Sequence, residues 1–207
     1  MARTTKEQAL KTRGKIIETA IEVFYTRGVN ATTLEQIASA AGLTRGAIYW
    51  NFRNKLDLVS AVHEHFHLSI LNTIQEEMQQ QNTPPLQRMR NTWAKFLHDI
   101  STNSMYQKVM TIFMLRCDYA GDMAALLTKQ LARKAEARAL LATCFQAALD
   151  KGDLKPIYTA DQLVQSHMCY MHGILYDYLA FNKIDQLQRD SQRLIDFHFN
   201  SLPYTDK

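Results

Sequence analysis

Residues 33–55 read TLEQIASAAGLTRGAIYWNFRNK, and this stretch decides the fold. Two short helical patterns meet at Gly42. The first opens where Thr33 and Gln36 fit a capping box, the threonine side chain serving the third helical N–H and the glutamine reaching back. Thr32 with Glu35 fits the same pattern one residue earlier. The helix ends at Ala41-Gly42. The second opens on Thr44 as N-cap and stops near Asn51 or Phe52. Small residues fill the joint, and cations flank the second pattern at Arg45 and Lys55. Two short helices joined by a glycine turn are what a helix-turn-helix, with a motif over about 33–52, needs to lay its second helix in a DNA groove.

The second helix also breaks local rules. Arg45 lies in its first turn, where the helix dipole disfavours a cation by about 0.3–1 kcal/mol. Gly46 inside so short a helix costs up to about 1 kcal/mol relative to alanine. Conflicts of this kind concentrate at functional sites. A phosphate or guanine edge would partner Arg45, and a missing side chain at Gly46 would let the backbone approach DNA closely. Tyr49 and Trp50 are adjacent, so they point about 100° apart and cannot share one small core. At least one is expected to be exposed. Lys55 is expected to keep its ammonium free for a phosphate.

Charge placement agrees. Residues 1–58 hold nine Lys/Arg and five Asp/Glu, whereas residues 59–207 hold fifteen of each. The chain's whole excess of +4 therefore lies with the helix-turn-helix, the electrostatic footprint of nucleic-acid binding. Hydrophobic content of 46% and charged content of 21% fit a globular protein with a real core. No apolar run approaches the roughly 18 residues of a membrane span. The polar N-terminal MARTTKEQALKTR does not read as a signal peptide. Cys117, Cys144 and Cys169 form no CxxC motif and fit free thiols in a reducing cytoplasm.

The rest of the chain reads as helix throughout, so the expected class is all-α with about nine helices. A first helix runs from near Glu7 to Thr26, with Ile16, Ile17, Ala20, Val23 and Phe24 as its apolar stripe and Gly28 as C-cap. A fourth runs from Lys55 to about Gln80. QQQNTPP (79–85) is a linker, and Pro85 opens a helix containing Leu86, Met89, Trp93, Phe96, Leu97 and Ile100. STNS (101–104) interrupts before a helix over 105–118. Helices then follow over 122–151, 160–181 and 184–202. The division expected is a DNA-binding domain over 1–55 and a second domain over 56–207.

Thr32-Thr33, Ile37-Ala38, Ala41-Gly42, the run from Thr44 to Phe52, and Lys55, Asp57 and Leu58 together resemble the TetR family of bacterial repressors. TRGAIYWNFRNK is especially similar to the AcrR-type repressors of multidrug efflux pumps. Pro85-Leu86 and the run from Arg116 to Met123 look AcrR-like as well. The resemblance implies DNA contacts at Thr33, Thr44, Arg45, Gly46, Tyr49, Trp50, Asn51 and Lys55. The family usually carries His where this chain has Asn51, and Asn can donate to a phosphate or pair bidentately with adenine. It further implies a homodimer reading palindromic operator DNA, released by a hydrophobic or amphipathic drug-like inducer, with no cofactor. Control of another pathway, in lipid or aromatic metabolism, is the alternative within the family.

The C-terminal body suits both tasks. Leu163, His167, Tyr170, Met171, Ile174, Leu175, Tyr178 and Leu179, followed by Leu187, Leu194, Ile195, Phe197 and Leu202, lie on two helices that would pair with their copies in a four-helix interface. Nine methionines and many aromatics suit an adaptable ligand pocket. Its candidate lining is Phe66, His67, Ile70, Trp93, Phe96, Phe113, Gln130, Met168 and Met171. His63-Glu64-His65-Phe66-His67 matches the zinc-protease letters HExxH. That chemistry needs a third ligand and a cleft, while this helix directly follows the DNA-binding pattern, so neither an enzyme nor a metal site is expected, and a HExxH zinc hydrolase stands only as a remote alternative. A nucleoid-type DNA binder without a ligand is a further alternative.

Overall fold

The computed structural model describes residues 2–78 and 82–205, with side chains described over 7–66 and 82–205. Within these, nine α-helices follow in order: α1 (Ala2–Arg27), α2 (Leu34–Ala40), α3 (Arg45–Asn51), α4 (Lys55–Met78), α5 (Pro85–Thr102), α6 (Ser104–Leu115), α7 (Ala124–Asp150), α8 (Ala160–Ala180) and α9 (Ile184–Asn200). A 3-10 turn, Gly121–Met123, precedes α7. The class is all-α, as the periodicity predicts. Pro85 is the first helical residue of α5, and Asn103 alone separates α5 from α6. Residues 79–81 of the expected linker lie outside the described residues.

Two compact units are present: Met1–Leu68 with Met105–Leu127, and Ser69–Ser104 with Thr128–Lys207. In the first, Ile16, Ala20, Ile21 and Phe24 of α1 are buried, as are Ile37, Ile48, Phe52, Leu58, Val59 and Val62. Each large apolar side chain among them contributes about 1.5–3 kcal/mol by leaving water. Segment 105–127 joins this unit through polar stitches. Val29 N–H donates to the Arg116 carbonyl at 2.9 Å. Asn30 Nδ2 donates to the Asp118 carbonyl at 3.2 Å, and Asp118 N–H returns a bond to Asn30 Oδ1 at 3.0 Å. Lys108 Nζ pairs with both carboxylate oxygens of Glu22 at 2.6 and 2.7 Å.

In the second unit α9 packs against α5 and α8. Leu187, Ile195 and Phe199 of α9 are buried, and Arg90 of α5 forms an ion pair with Asp196. The chain beyond α9 folds back on the segment after α7: Lys155 N–H donates to the Pro203 carbonyl at 2.7 Å and Thr205 N–H to the Asp153 carbonyl at 3.2 Å. Among the described residues no helix is long and apolar enough to cross a membrane.

Candidate functional site

The joint between α2 and α3 is built by backbone chemistry. Gly42 has φ +65° and occupies the residue after the Ala41 C-cap. Its N–H donates to the Ser39 carbonyl at 3.1 Å, while Leu43 N–H donates to that of Ala38 at 2.8 Å. This pair of bonds satisfies the last carbonyls of α2 in a Schellman motif, and the left-handed φ it needs is one that glycine reaches without strain. At the other end of α2 the capping box is the one on Thr33. Its N–H donates to Gln36 Oε1 at 2.9 Å, and its hydroxyl oxygen accepts from Gln36 N–H at 3.2 Å. The alternative on Thr32 and Glu35 is not formed, because Thr32 is buried and its hydroxyl donates to the Gly28 carbonyl at 2.7 Å. Thr44 caps α3 as its sequence predicts, accepting from Ala47 N–H at 3.2 Å.

Ile48 is the buried anchor of α3, and Phe52 behind it is fully buried. Arg13 of α1 closes the C-terminal end of α3. Its guanidinium carbon stands 4.2 Å from the Phe52 ring centroid, and Nη1 donates to the Asn51 carbonyl at 2.7 Å. A cation at a helix C-terminus also complements the dipole there.

Most other side chains of α3 are turned outward, Ala47 and Asn51 being half-buried. Trp50 is 87% exposed and Tyr49 42% exposed, so both adjacent aromatics reach solvent. Thr33, Thr44, Arg45 and Gly46 are exposed too. A methyl group added at Gly46 would meet only Thr44 Oγ1, at 3.9 Å, an ordinary contact. Nothing among the described residues therefore asks for glycine at 46. Gly46→Ala is expected to raise stability by about 0.5–1 kcal/mol, because alanine is the better helix former. If close approach to DNA is why glycine stands there, the same variant loses DNA affinity in a gel-shift titration while gaining in a thermal melt.

One expectation about this surface needs correction, the free ammonium of Lys55, and two further side chains already have partners inside the chain. Arg45 is not without an internal partner: Nε lies 3.5 Å from Glu35 Oε1, and its guanidinium carbon lies 5.5 Å from the Tyr49 ring centroid. Lys55 is not free either, since Nζ donates to the Asn30 carbonyl at 3.0 Å and the side chain is half-buried. The Asn51 amide folds back and donates to the Ala47 carbonyl at 2.9 Å, so one of its two amide hydrogens is already used. Glu35 is the residue that sequence reasoning missed. Its carboxylate accepts from the Tyr49 hydroxyl at 2.7 Å. That hydrogen bond leads the causes that hold the carboxyl below the usual carboxylate range, with the Arg45 charge adding to it.

The ligand-lining candidates divide between the units. In the first unit, Phe66 packs edge to face on Tyr106 at 5.2 Å and Phe113 on His63 at 4.8 Å. In the second, Trp93 lies edge to face against both Phe96 and His167 at 5.4 Å. Met171 is buried, Met168 Sδ accepts from Arg138 Nη1 at 3.8 Å, and Gln130 is half-buried. The side chains of His67 and Ile70 lie outside those described. An open depression of about 500 Å³ on α7 and the start of α8 is lined by Thr143, Gln146, Asp150 and Asp161 among others, and by none of these candidates.

Much of the stripe expected at a dimer interface is instead used inside the subunit. Leu163, His167, Met171, Leu175, Leu187 and Ile195 are buried within the single chain. Tyr176, Phe181 and Phe197 remain exposed, Phe197 by 67%. At the centre of the second unit His167 is fully buried, its Nδ1 2.8 Å from His198 Nε2. The rings of Trp93, Phe145 and Phe199 surround it, and its Nε2 has no hydrogen-bond partner among the described residues. Among the described residues no group of three His, Cys, Asp or Glu is placed to hold a metal.

Comparison with known proteins places this architecture. Residues 16–62 match the model of bacterial regulatory proteins of the tetR family, and residues 84–204 that of the MAATS-type transcriptional repressor C-terminal region. The chain is similar to the HTH-type transcriptional regulator TtgR of Pseudomonas putida, with 29% identity over 95% of this chain and 93% of that one. Among solved structures it is similar to NalD, the secondary repressor of the MexAB-OprM multidrug efflux pump in Pseudomonas aeruginosa. That match has a TM-score of 0.82 and 26% identity, covering 95% of this chain and 97% of NalD. The SmeT–triclosan complex matches with a TM-score of 0.80 and 27% identity, covering 95% of this chain and 93% of SmeT. The second model covers more than half of the chain, and the first falls on the helix-turn-helix: the chain belongs to the TetR family of bacterial regulatory proteins, as a transcriptional repressor.

Proposed function

We propose that this repressor acts as a homodimer on a palindromic operator, laying α3 of each subunit in successive major grooves about 34–36 Å apart. The observation that carries the reading is the outward face of α3. Trp50 and Tyr49 are exposed beside Arg45, Gly46 and the Thr44 cap, and nothing among the described residues asks for glycine at 46. In this reading residues 1–55 form the DNA-binding domain, with Thr33, Thr44, Arg45, Gly46, Tyr49, Trp50, Asn51 and Lys55 as its contacts. Lys55 retains two ammonium hydrogens for a phosphate beyond its bond to Asn30.

Residues 56–207 bind the inducer and dimerise. Exposed Tyr176 and Phe197 on α8 and α9 support an interface there. The inducer is a hydrophobic or amphipathic drug-like molecule, with Trp93, Phe96, Met168 and Met171 among its contacts. SmeT is described in complex with triclosan, and NalD as the repressor of an efflux pump. By that similarity the controlled operon here encodes a multidrug efflux pump, and the protein works in the cytoplasm. To release DNA, the inducer must favour the unbound conformation by several kcal/mol.

Arg45→Ala tests the central claim. It is expected to weaken operator binding by about 1–3 kcal/mol, while size-exclusion chromatography shows an unchanged oligomer. Unchanged affinity in a gel-shift titration would remove Arg45, and with it the assigned face of α3, from DNA contact.

A further inference from the structure

Glu35 stands where a DNA-binding surface should have no carboxylate. It is the sole Asp or Glu between Glu22 and Asp57, and its side chain is 43% exposed beside α3. Against a polyanion such a charge works by repulsion. Its presence calls for a compensating role, and the geometry supplies one. A single oxygen, Oε1, accepts from the Tyr49 hydroxyl at 2.7 Å and pairs with Arg45 Nε at 3.5 Å. The guanidinium carbon in turn stands 5.5 Å from the Tyr49 ring centroid. Carboxylate, phenol and guanidinium thus form one closed triangle spanning α2 and α3. Engaging the guanidinium at Nε leaves both terminal amino groups for a planar pair of acceptors, the arrangement by which arginine reads a guanine edge or clasps a phosphate. Arg45 is 75% exposed, so without the carboxylate it would sample many rotamers.

We propose that Glu35 is a specificity-determining positioning residue: it orders Arg45 and Tyr49 before DNA arrives, and its charge penalises arbitrary duplex more than operator. The penalty falls on both kinds of DNA. On operator alone it is offset, because ordered groups meet matched partners without a further loss of entropy. Glu35 therefore lowers background binding and widens the gap between operator and the rest of the genome. This rests on the reading of α3 as the DNA-contacting helix.

The test uses the full-length dimer and an operator recovered by selection from a randomised duplex pool. Dissociation constants are measured for that operator and for a scrambled duplex of equal length, over a series of KCl concentrations. Wild type is compared with Glu35→Gln and Glu35→Ala. Glu35→Ala is expected to bind scrambled DNA several-fold more tightly and to lower the ratio of scrambled to operator dissociation constants about tenfold. Its salt slope on scrambled DNA should steepen by about one, as Arg45 becomes available to any phosphate. Glu35→Gln keeps an acceptor for Tyr49 without the charge, so it should tighten scrambled binding while keeping part of the discrimination. A merely structural tether would weaken both duplexes by the same factor with unchanged slopes, and that result overturns the assignment. A selection that returns no preferred sequence overturns the DNA reading itself, and this assignment with it.

Discussion

Phe52→Ala is expected to destabilise the protein by about 3–5 kcal/mol, the range for emptying a buried phenylalanine site. The ring is fully buried, and it sits at the C-cap of α3, where its N–H donates to the Ile48 carbonyl at 2.9 Å. It is also the surface on which Arg13 rests while capping the Asn51 carbonyl. Removing the ring therefore opens a cavity and unseats the cation that closes α3. Urea titration would show the loss as a lowered midpoint. A double-mutant cycle with Arg13→Ala should return a coupling of about 0.5–2 kcal/mol, from the cation–π contact and its dependent hydrogen bond. Trp50→Ala, two residues away but 87% exposed, should change stability by less than about 0.5 kcal/mol. Equal losses from the two variants would show that α3 is not anchored as described.

Acid should destabilise the second unit before it reaches the carboxylates. Burial first, and the neighbouring His198 second, push the His167 imidazole down to about 3. Burial also holds His198 below its usual range. In the unfolded chain His167 regains its ordinary value of 6.5. Between these values the unfolded state binds the proton and the folded state does not, so stability falls as pH drops below about 6.5. At roughly 1.4 kcal/mol per pH unit, going from neutral pH to pH 5 costs on the order of 2 kcal/mol from this group. Urea midpoints at fixed protein concentration across about pH 7.5 to 5 would measure it. Replacing both imidazoles with leucine, which suits the surrounding Trp93, Phe145 and Phe199, should flatten the dependence. A wild-type curve already flat over that interval would refute the assignment.

What the sequence made legible follows from range. Caps and turns are decided by neighbours, so Thr33, Thr44, Gly42 and Pro85 all appear where local chemistry puts them. The periodic stripes placed the helices within a few residues, α1 excepted, which starts earlier than Glu7. Partners across helices left no such trace. Thr32 and Thr33 are equivalent as letters, and only the burial of Thr32 against Gly28 decides between them. Glu35 acquires its role from a tyrosine fourteen residues on, once the helices cross. His167 read as one member of an apolar stripe because its partner lies 31 residues away on another helix. The same stripe could serve a subunit's own core or a partner's, and periodicity is identical in the two cases. Charge patterning identified the basic end of the chain but not the internal ion pair that restrains Arg45.

The stitches between the turn before α2 and the segment after α6 set an order of events in synthesis. Val29 and Asn30 find their partners at Arg116 and Asp118, 88 residues later for the Asn30–Asp118 pair. A growing chain that has just completed the helix-turn-helix still lacks those groups. At usual elongation rates of about 5–20 residues per second, roughly 3–13 s pass between residue 62 and residue 127. Throughout that interval the first unit is without part of its own frame. A ribosome-bound chain thus lacks the partners of Val29 and Asn30 until more than half of it has been made, and the frame of the first unit closes while the second is still being synthesised.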